Sequence, residues 1–535
     1  MPSPNAKILR SRIGKVCVAI IGSTASELIE KATAVVKETP FLEFRLDYLE
    51  KPAVALPKIK EFLEVNNAST VIATCRRTEN GGKFDGSLAA QLEILIKAAA
   101  AGCQIVDIEL ESAEALKKTD YHKLRDTGAA IICSFHDFKE TPNLDAVYTR
   151  IKVFEPDFVK IVPTAKSLVD NVTMIRFIER MSDHSDIVGL CMGDAGIISR
   201  VLSLRAGAPF TFAAATVGEE TGPGQIAART LVETYRVEEV DAATKIYGVA
   251  GNPVGKSLSP IMLNTAFRRE TVNAVYLALQ THKVADLVEL IREIPIHGVS
   301  ITMPHKQTIL PYLAHMDPLS QKIGACNTIL RAQDGNLYGF NTDVQGIIAP
   351  LEKRLSLKGA KVLVLGAGGS GRAAVFALRD KGAEVHILNR TPETAAKLAK
   401  QSGAKVFKRE AFHHKTSPAS FDVIINSTPI GMSGNKGAQL LSAEELKSKI
   451  VFDLVYNPAD TPLIRMARAQ GINVITGVEM FVQQGARQFE IWTGKPAPEE
   501  EMLRVVVHAL RQQAEAAATT PEPEAPAKKT KTKAS

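Results

Sequence analysis

Lys160 lies in FVKIV, an apolar strand-like run, whereas a strand lysine ordinarily marks an edge or reaches toward solvent. Burial disfavours a charged amine, and a neutral amine is a nucleophile for a carbonyl carbon. His136, in SFHDF, has the chemistry to carry protons for the imine that such an attack produces. Taken singly, each residue has an ordinary structural explanation. Glu43, Arg45, Asp47, Arg76, Asp107, Glu109 and Arg200 also fall at or after the ends of apolar runs, so the polar groups form a set.

A second chemistry is written in GAGGSGRA, where Gly366, Gly368 and Gly371 keep the G-x-G-x-x-G spacing after KVLVL and before a helical run. Such glycines permit a tight turn and close approach of a pyrophosphate to a helix N-terminus. The next strand ends in Asn389, Arg390 and Thr391 rather than in an acid. An acid there suits the ribose diol of NAD; an arginine suits the 2′-phosphate of NADP. A Rossmann-like unit that binds no cofactor is the structural alternative.

Elements able to position these groups follow from the spacing of apolar runs. Eight runs, at 15–22, 41–48, 69–76, 103–110, 129–136, 157–165, 187–193 and 210–216, alternate with helical stretches. This rhythm predicts an α/β fold with an N-terminal (β/α)₈ barrel over 15–240, whose working residues belong at the C-terminal ends of the strands. A new alternation starts after DAATK and covers 245–350. A Rossmann lobe follows over 355–477, then amphipathic helices over 478–513 that return to the preceding lobe. Residues 1–14 read as a basic tail and 514–535, with PEPEAPAKKTKTK, as a disordered one.

Composition narrows the class. The 535 residues are 45% hydrophobic and 23% charged, which excludes a disordered or fibrous chain. The net charge of +7 sits mostly in the two ends, so no basic stripe recommends a nucleic-acid partner. No apolar run is long enough to span a bilayer, and VCVAIIG is short for a signal sequence. Six cysteines without CxxC or Cys/His metal spacing predict reduced thiols, no metal and a cytoplasmic protein.

EFRLD, SFHDF, FVKIV, SR and PGQI, in that order, resemble type I 3-dehydroquinate dehydratase over about 15–235. The resemblance implies that Lys160 forms a Schiff base with the substrate ketone and that His136 moves the protons. It also implies that Glu43, Arg45, Arg76, Arg200, Thr221 and Gln225 bind substrate, the arginines by bidentate pairing. Asn80 stands where that family commonly has Glu, and Thr221 where it commonly has Ser.

SLSP, SITMPHK, GACNT, FNTD, GAGGSG, NRT, NSTPIGM, DLVYNP and GVEMFVQQ together resemble shikimate dehydrogenase over about 245–513. The resemblance implies substrate contacts from Ser257, Ser259, Thr302, Asn327, Tyr456 and Gln484, and a catalytic pair of Lys306 and Asp343. For NADP it implies Gly366, Ala367, Gly368, Gly369, Ser370, Gly371, Asn389, Arg390, Thr391 and Gly477. Thr394 replaces a second phosphate-binding arginine common in relatives, leaving Arg390 and Lys397 near the phosphate; Ser300 replaces a common Asn.

The two resemblances imply consecutive steps of the shikimate pathway toward aromatic amino acids, because the product of the first, 3-dehydroshikimate, is the substrate of the second. The implied partners are 3-dehydroquinate, 3-dehydroshikimate and shikimate, with NADPH as cofactor and the oligomeric state open. Two alternatives stay open as well: the same fold preferring quinate, or a non-catalytic relative acting as scaffold or regulator.

Overall fold

Each of the eight early apolar runs forms a short parallel strand: β1 (Val16–Ile20), β2 (Phe41–Arg45), β3 (Thr70–Thr74), β4 (Ile105–Glu109), β5 (Ala130–His136), β6 (Phe158–Val162), β7 (Asp186–Gly189) and β8 (Thr211–Ala214). The computed structural model describes residue 9 and residues 12–413, 419–432 and 439–519. Several of the helices between the strands begin at side-chain caps. Thr24 and Ser87 accept from backbone amides three residues on, and Ser167 and Asp170 form a reciprocal capping box.

The ladders run in the order β7-β6-β5-β4-β3-β2-β1-β8, all parallel, and β7 and β8 form no ladder with each other. The expected barrel is therefore closed except for one seam. The two strands at the seam have four residues each, and the Phe212 carbonyl of β8 is bonded instead by the Arg200 guanidinium, at 3.3 Å.

Inside the barrel, Cys17, Phe41, Ile72, Ile105, Ile132, Phe158 and Phe210 pack with Leu9, which is only 5% exposed. Residues 1–14 are thus not wholly a tail, because Leu9 buries its side chain in the barrel interior. Residues 1–8 and 10–11 lie outside the described residues.

A six-stranded mixed sheet follows in the order β10-β9-β11-β13-β14-β12. Its strands are β9 (Lys245–Gly251), β10 (Ala274–Gln280), β11 (Ile296–Ile301), β12 (His315–Met316), β13 (Thr328–Arg331) and β14 (Leu337–Phe340). Trp492 joins this sheet: its indole donates to Ile329 O at 2.9 Å and its ring packs on Tyr247 and Tyr276. Residues Met1–Phe340 with Ile491–Lys495 make one unit, and Asn341–Glu490 with Pro496–Ser535 make another.

The second unit holds a parallel sheet in the order β17-β16-β15-β18-β19-β20. Its strands are β15 (Lys361–Leu365), β16 (Glu384–Leu388), β17 (Lys405–Val406), β18 (Phe421–Asn426), β19 (Ser448–Asp453) and β20 (Asn473–Ile475). The strand order reverses beside β15, the topology of a dinucleotide fold.

Two expected boundaries move. The helix Asp343–Glu352 belongs to this second unit rather than to a lobe ending at 350, because it packs on the helix Gly477–Thr493. A Cβ at Gly346 would come within 2.8 Å of Met480 O, so the contact requires glycine. The last helix, Glu499–Thr519, continues past Gln513, since AEAAA is built of strong helix formers. The rest of the expected C-terminal tail, 520–535, lies outside the described residues.

Candidate active site

Parallel pairing sets the barrel site. Lys160 lies opposite Ser134 across the β5–β6 ladder, and His136, two residues on, shares the face of Ser134. Both candidates line one cavity with Glu43, Arg45, Arg76, Gly81, Phe138, Arg200, Phe212, Thr221 and Gln225. Every substrate-binding residue expected for the barrel is on that wall.

The Lys160 amine is not in merely apolar surroundings. Its Nζ pairs with Asp107 Oδ2 at 2.9 Å, stands 3.7 Å from Glu43 Oε1, and lies 3.8 Å from the centre of the Phe212 ring. Thr74 holds Glu43 in place by donating to Oε1 at 2.7 Å. These partners come from strands not adjacent to β6, so the linear sequence gives no sign of the ion pair.

Arg76 joins the two candidates. Its guanidinium donates to Asp107 Oδ1 at 3.1 Å, to Ser134 Oγ at 3.2 Å and to His136 Nδ1 at 2.9 Å. A guanidinium only donates, so Nδ1 accepts and the proton of the neutral ring sits on Nε2. Burial first, then the positive charges of Arg76, Lys160 and Arg45, hold the His136 pKa well below the ordinary imidazole value. The ring is therefore neutral and basic-competent.

The three arginines differ. The Nε/Nη2 edge of the Arg45 guanidinium is already occupied by Asp47, with Nε donating at 2.9 Å and Nη2 at 2.8 Å, which leaves the Nη1 side for other partners. Arg76 is engaged as described. Arg200 bonds only carbonyl oxygens, of Gly224, Phe212 and Pro223, and has no carboxylate partner among the described residues. Burial lowers its pKa to about 10, still charged at neutral pH. A buried cation lacking a counter-ion is a receptor for an anionic substrate group.

At the mouth, Thr221 donates from N and Oγ1 to Gln225 Oε1, at 2.6 and 3.1 Å, which folds the segment after β8 over the cavity rim. Phe138 lies beside His136 and close over Gly81, where a Cβ would meet its ring at 2.2 Å. Asn80 turns to Glu111, donating from Nδ2 at 2.6 Å, and is not on the cavity wall. Ser134, Thr74, Phe138 and Phe212 were given no role by the sequence. Their one available signal was membership of the strand-end motifs SFHDF, STVIATC and FTFAAAT.

In the following sheet, the C-terminal ends of β9 and β11 gather the next group. Thr302 N donates to Ala250 O at 2.9 Å, Ile301 N to Asn327 O at 2.7 Å and Cys326 N to Lys306 O at 2.8 Å. Thr302, Lys306 and Asn327 are thus tied into one loop cluster. His305, buried beside Lys306, anchors the turn by donating from Nε2 to Thr281 O at 2.8 Å. Ser257 Oγ accepts from Ser259 N at 3.2 Å, at the start of the helix Ser259–Arg269 on the loop after β9.

In the second unit, Asp343 opens its helix and its Oδ2 accepts from Ser370 Oγ of the glycine-rich turn at 3.2 Å. Gln484 is buried and donates to Phe481 O at 2.8 Å; the Tyr456 ring stacks on Phe481 at 4.2 Å. Gly477 starts the helix that carries Gln484, and a Cβ there would strike Val455 O at 2.3 Å. That glycine has a packing reason of its own.

The turn after β15 fits a dinucleotide phosphate. Gly366 has φ +106°, and Gly371 approaches so closely that a Cβ would lie 2.6 Å from Gly366 O. Beside Gly368, by contrast, a Cβ would meet nothing within 4 Å, and the helix Gly369–Asp380 has no side-chain cap. Ala367, Gly369 and Ser370 complete this open cradle of amides. At the end of β16, Asn389 Nδ2 donates to Thr391 O at 3.0 Å, and Arg390 is exposed with no carboxylate partner among the described residues.

Known families match the sequence of both halves. The family model for type I 3-dehydroquinase matches residues 16–242. Models for the shikimate dehydrogenase substrate binding domain, for shikimate/quinate 5-dehydrogenase and for the shikimate 5'-dehydrogenase C-terminal domain match 249–329, 350–461 and 477–507. A chloroplastic bifunctional 3-dehydroquinate dehydratase/shikimate dehydrogenase of Arabidopsis thaliana is 33% identical over 509 residues, covering 91% of this chain and 83% of its own. An NADP(+) shikimate dehydrogenase of Geobacillus kaustophilus is 39% identical over 277 residues, covering 50% of this chain and 99% of its own. A Thermus thermophilus shikimate 5-dehydrogenase solved with NADP(H) and shikimate is 35% identical, covers 50% of this chain and 100% of its own, and superposes with a TM-score of 0.46.

Proposed function

The chain belongs to the family of bifunctional 3-dehydroquinate dehydratases/shikimate dehydrogenases, and from that premise we propose that it dehydrates 3-dehydroquinate to 3-dehydroshikimate and reduces that product to shikimate with NADPH. The observation that carries the reading is the barrel cavity, where a buried amine, a neutral imidazole and a guanidinium without a carboxylate partner among the described residues share one wall.

In the barrel, Arg200 takes the substrate carboxylate, and Gln225, Thr221, Glu43 and the free edge of Arg45 take its hydroxyls. Lys160 Nζ attacks the ketone carbon and forms an imine. His136 removes a proton from the adjacent carbon, the electrons move into the protonated C=N bond, and the same ring returns the proton to the departing hydroxyl, which leaves as water. Substrate oxygens that draw the Arg76 guanidinium away from Nδ1 leave that nitrogen free to accept the proton.

In the dehydrogenase half, Ser257, Ser259, Thr302, Asn327, Tyr456 and Gln484 hold the carboxylate and hydroxyls. Lys306 donates to the carbonyl oxygen as charge develops on it, and Asp343, steadied by Ser370, orients that oxygen. The amides of the Gly366–Gly371 turn hold the pyrophosphate, and Arg390 holds the 2′-phosphate. NADPH, when bound, supplies the hydride.

The proposed compartment is the cytosol: all six cysteines are buried and none is in a disulfide. Among the described residues no helix is long and apolar enough to cross a membrane. The decisive experiment supplies 3-dehydroquinate and NADPH to the purified chain. Shikimate and NADP should accumulate in equal amounts; 3-dehydroshikimate accumulating without cofactor oxidation would reject the dehydrogenase half, and neither 3-dehydroshikimate nor shikimate appearing would reject the dehydratase half.

A further inference from the structure

Asp107 has no part in the reaction described above, and it is not on the cavity wall. Its side chain is nonetheless fully buried and collects three donors: Lys160 Nζ at 2.9 Å, Arg76 Nη2 at 3.1 Å and Ser134 Oγ at 2.6 Å. Arg76 in turn donates to His136 Nδ1. One carboxylate on β4 therefore connects, directly or through one guanidinium, the nucleophile on β6 and the base on β5.

We propose that Asp107 is the positioning residue of the dehydratase: a fixed counter-ion that holds the Lys160 nitrogen through imine formation and breakdown and, through Arg76, sets the His136 ring until substrate binds. The proposal rests on the Schiff-base reading of Lys160. A carboxylate suits this task because the nitrogen is a cation as the resting ammonium and again as the iminium, and is neutral only in between, when it attacks the ketone, and in the enamine. The ammonium carries three protons and one positive charge. Two of those protons pass, by way of His136, to the ketone oxygen, which leaves as water; the C=O bond breaks, a C=N bond forms, and the nitrogen keeps one proton and the positive charge. No electron is lost or gained overall.

A neutral partner would leave the ammonium and the iminium buried without compensation. A carboxylate that took protons itself would quench the pair. Burial acts to raise the Asp107 pKa, but the charges of Lys160 and Arg76 and the bonds from Ser134 and Lys160 prevail and hold it at about 2. Asp107 therefore stays ionised and leaves proton transfer to His136.

The test uses the full-length chain. Asp107→Asn keeps the volume and still accepts from Ser134 Oγ, but removes the charge. Dehydratase kcat should fall about 100-fold or more while KM stays within about threefold. The fraction of chains trapped by borohydride at Lys160 during turnover should fall with it, and the dehydrogenase rate of the same sample should not change. Asp107→Glu, which restores the charge, should recover about tenfold. Wild-type kcat in Asp107→Asn, or a rise in KM that accounts for the whole loss, overturns the proposal.

If Asp107→Asn does not fold, Ser134→Ala tests the same point by removing the carboxylate's shortest bond. Its kcat should drop about three- to tenfold at unchanged KM, and an unchanged kcat overturns the proposal. Absence of any borohydride adduct on Lys160 in the active wild-type chain would reject the Schiff-base reading itself. An adduct there, with Asp107→Asn at wild-type speed, rejects only the role of Asp107.

Discussion

In the barrel, the groups assigned to chemistry sit on strands and compensate one another's charges before any substrate arrives. In the nucleotide-binding unit the groups assigned to the dinucleotide phosphates sit on a turn and at a strand end. Lys160, Asp107, Arg76, Ser134 and His136 form a connected set across β4, β5 and β6, with Arg76 contributed just beyond β3. The turn after β15 instead has open space at Gly368, where a Cβ would meet nothing within 4 Å, and Arg390, exposed at the end of β16, has no carboxylate partner among the described residues. A compensated set must be substituted as a whole to be neutral, whereas an open turn contributes its contacts one at a time.

The sharpest way to break this contrast is Lys160→Ala. It removes the covalent route, so dehydration should fall by at least about four orders of magnitude, while reduction of 3-dehydroshikimate by the same protein stays near wild type. Separate assays of the two half-reactions decide it. A dehydratase that keeps a tenth of its rate does not use Lys160 as nucleophile.

Arg390→Ala should have a smaller and additive effect. One charge-assisted contact is worth about 1.5–3 kcal/mol, or about 10- to 150-fold in NADPH binding, with NADH little changed. Titrating both cofactors separates this from damage to the turn, since equal losses would dissociate Arg390 from the 2′-phosphate. Thr394 in place of a second arginine makes a preference near the lower end the expected result.

The smallest expected effect is a displacement along the pH axis. Burial and the three surrounding cations depress the His136 pKa, so lowering the pH charges this base later than it would an ordinary imidazole. Activity should therefore persist below about pH 6.5, the unperturbed value, and the acid limb of dehydratase kcat/KM should lie under it. A limb at or above that value would mean that a different group carries the proton.

Much of this was readable in the chain because period and composition carry it. Eight β-branched runs became eight strands, and charged residues at their ends became a cavity wall, since a parallel barrel puts strand ends together whatever the helices do. The pairing among those charges was not readable. Asp107 and Lys160 are on strands separated by β5, and their contact depends on barrel curvature and rotamers that no local pattern encodes. For the same reason Arg45 looked free for substrate, although Asp47, two residues away, occupies its Nε/Nη2 edge.

Boundaries failed where packing overrides local punctuation. Asp343 lies within the stretch of motifs read as the substrate lobe, yet its helix belongs to the nucleotide-binding unit because Gly346 lets it approach Met480. The seam between β7 and β8 had no signature either, as both runs read as ordinary strands.

Leu9 bears on the traffic of water. Its side chain belongs to the apolar cluster of Cys17, Phe41, Ile105 and Phe158 inside the barrel, a cluster that also takes in Val162, Leu190, Met192 and Phe212 of the polar cavity's wall. On the proposed mechanism, water released as the imine forms would meet that greasy packing rather than solvent on one side, and the same molecule is what the imine needs when it is hydrolysed.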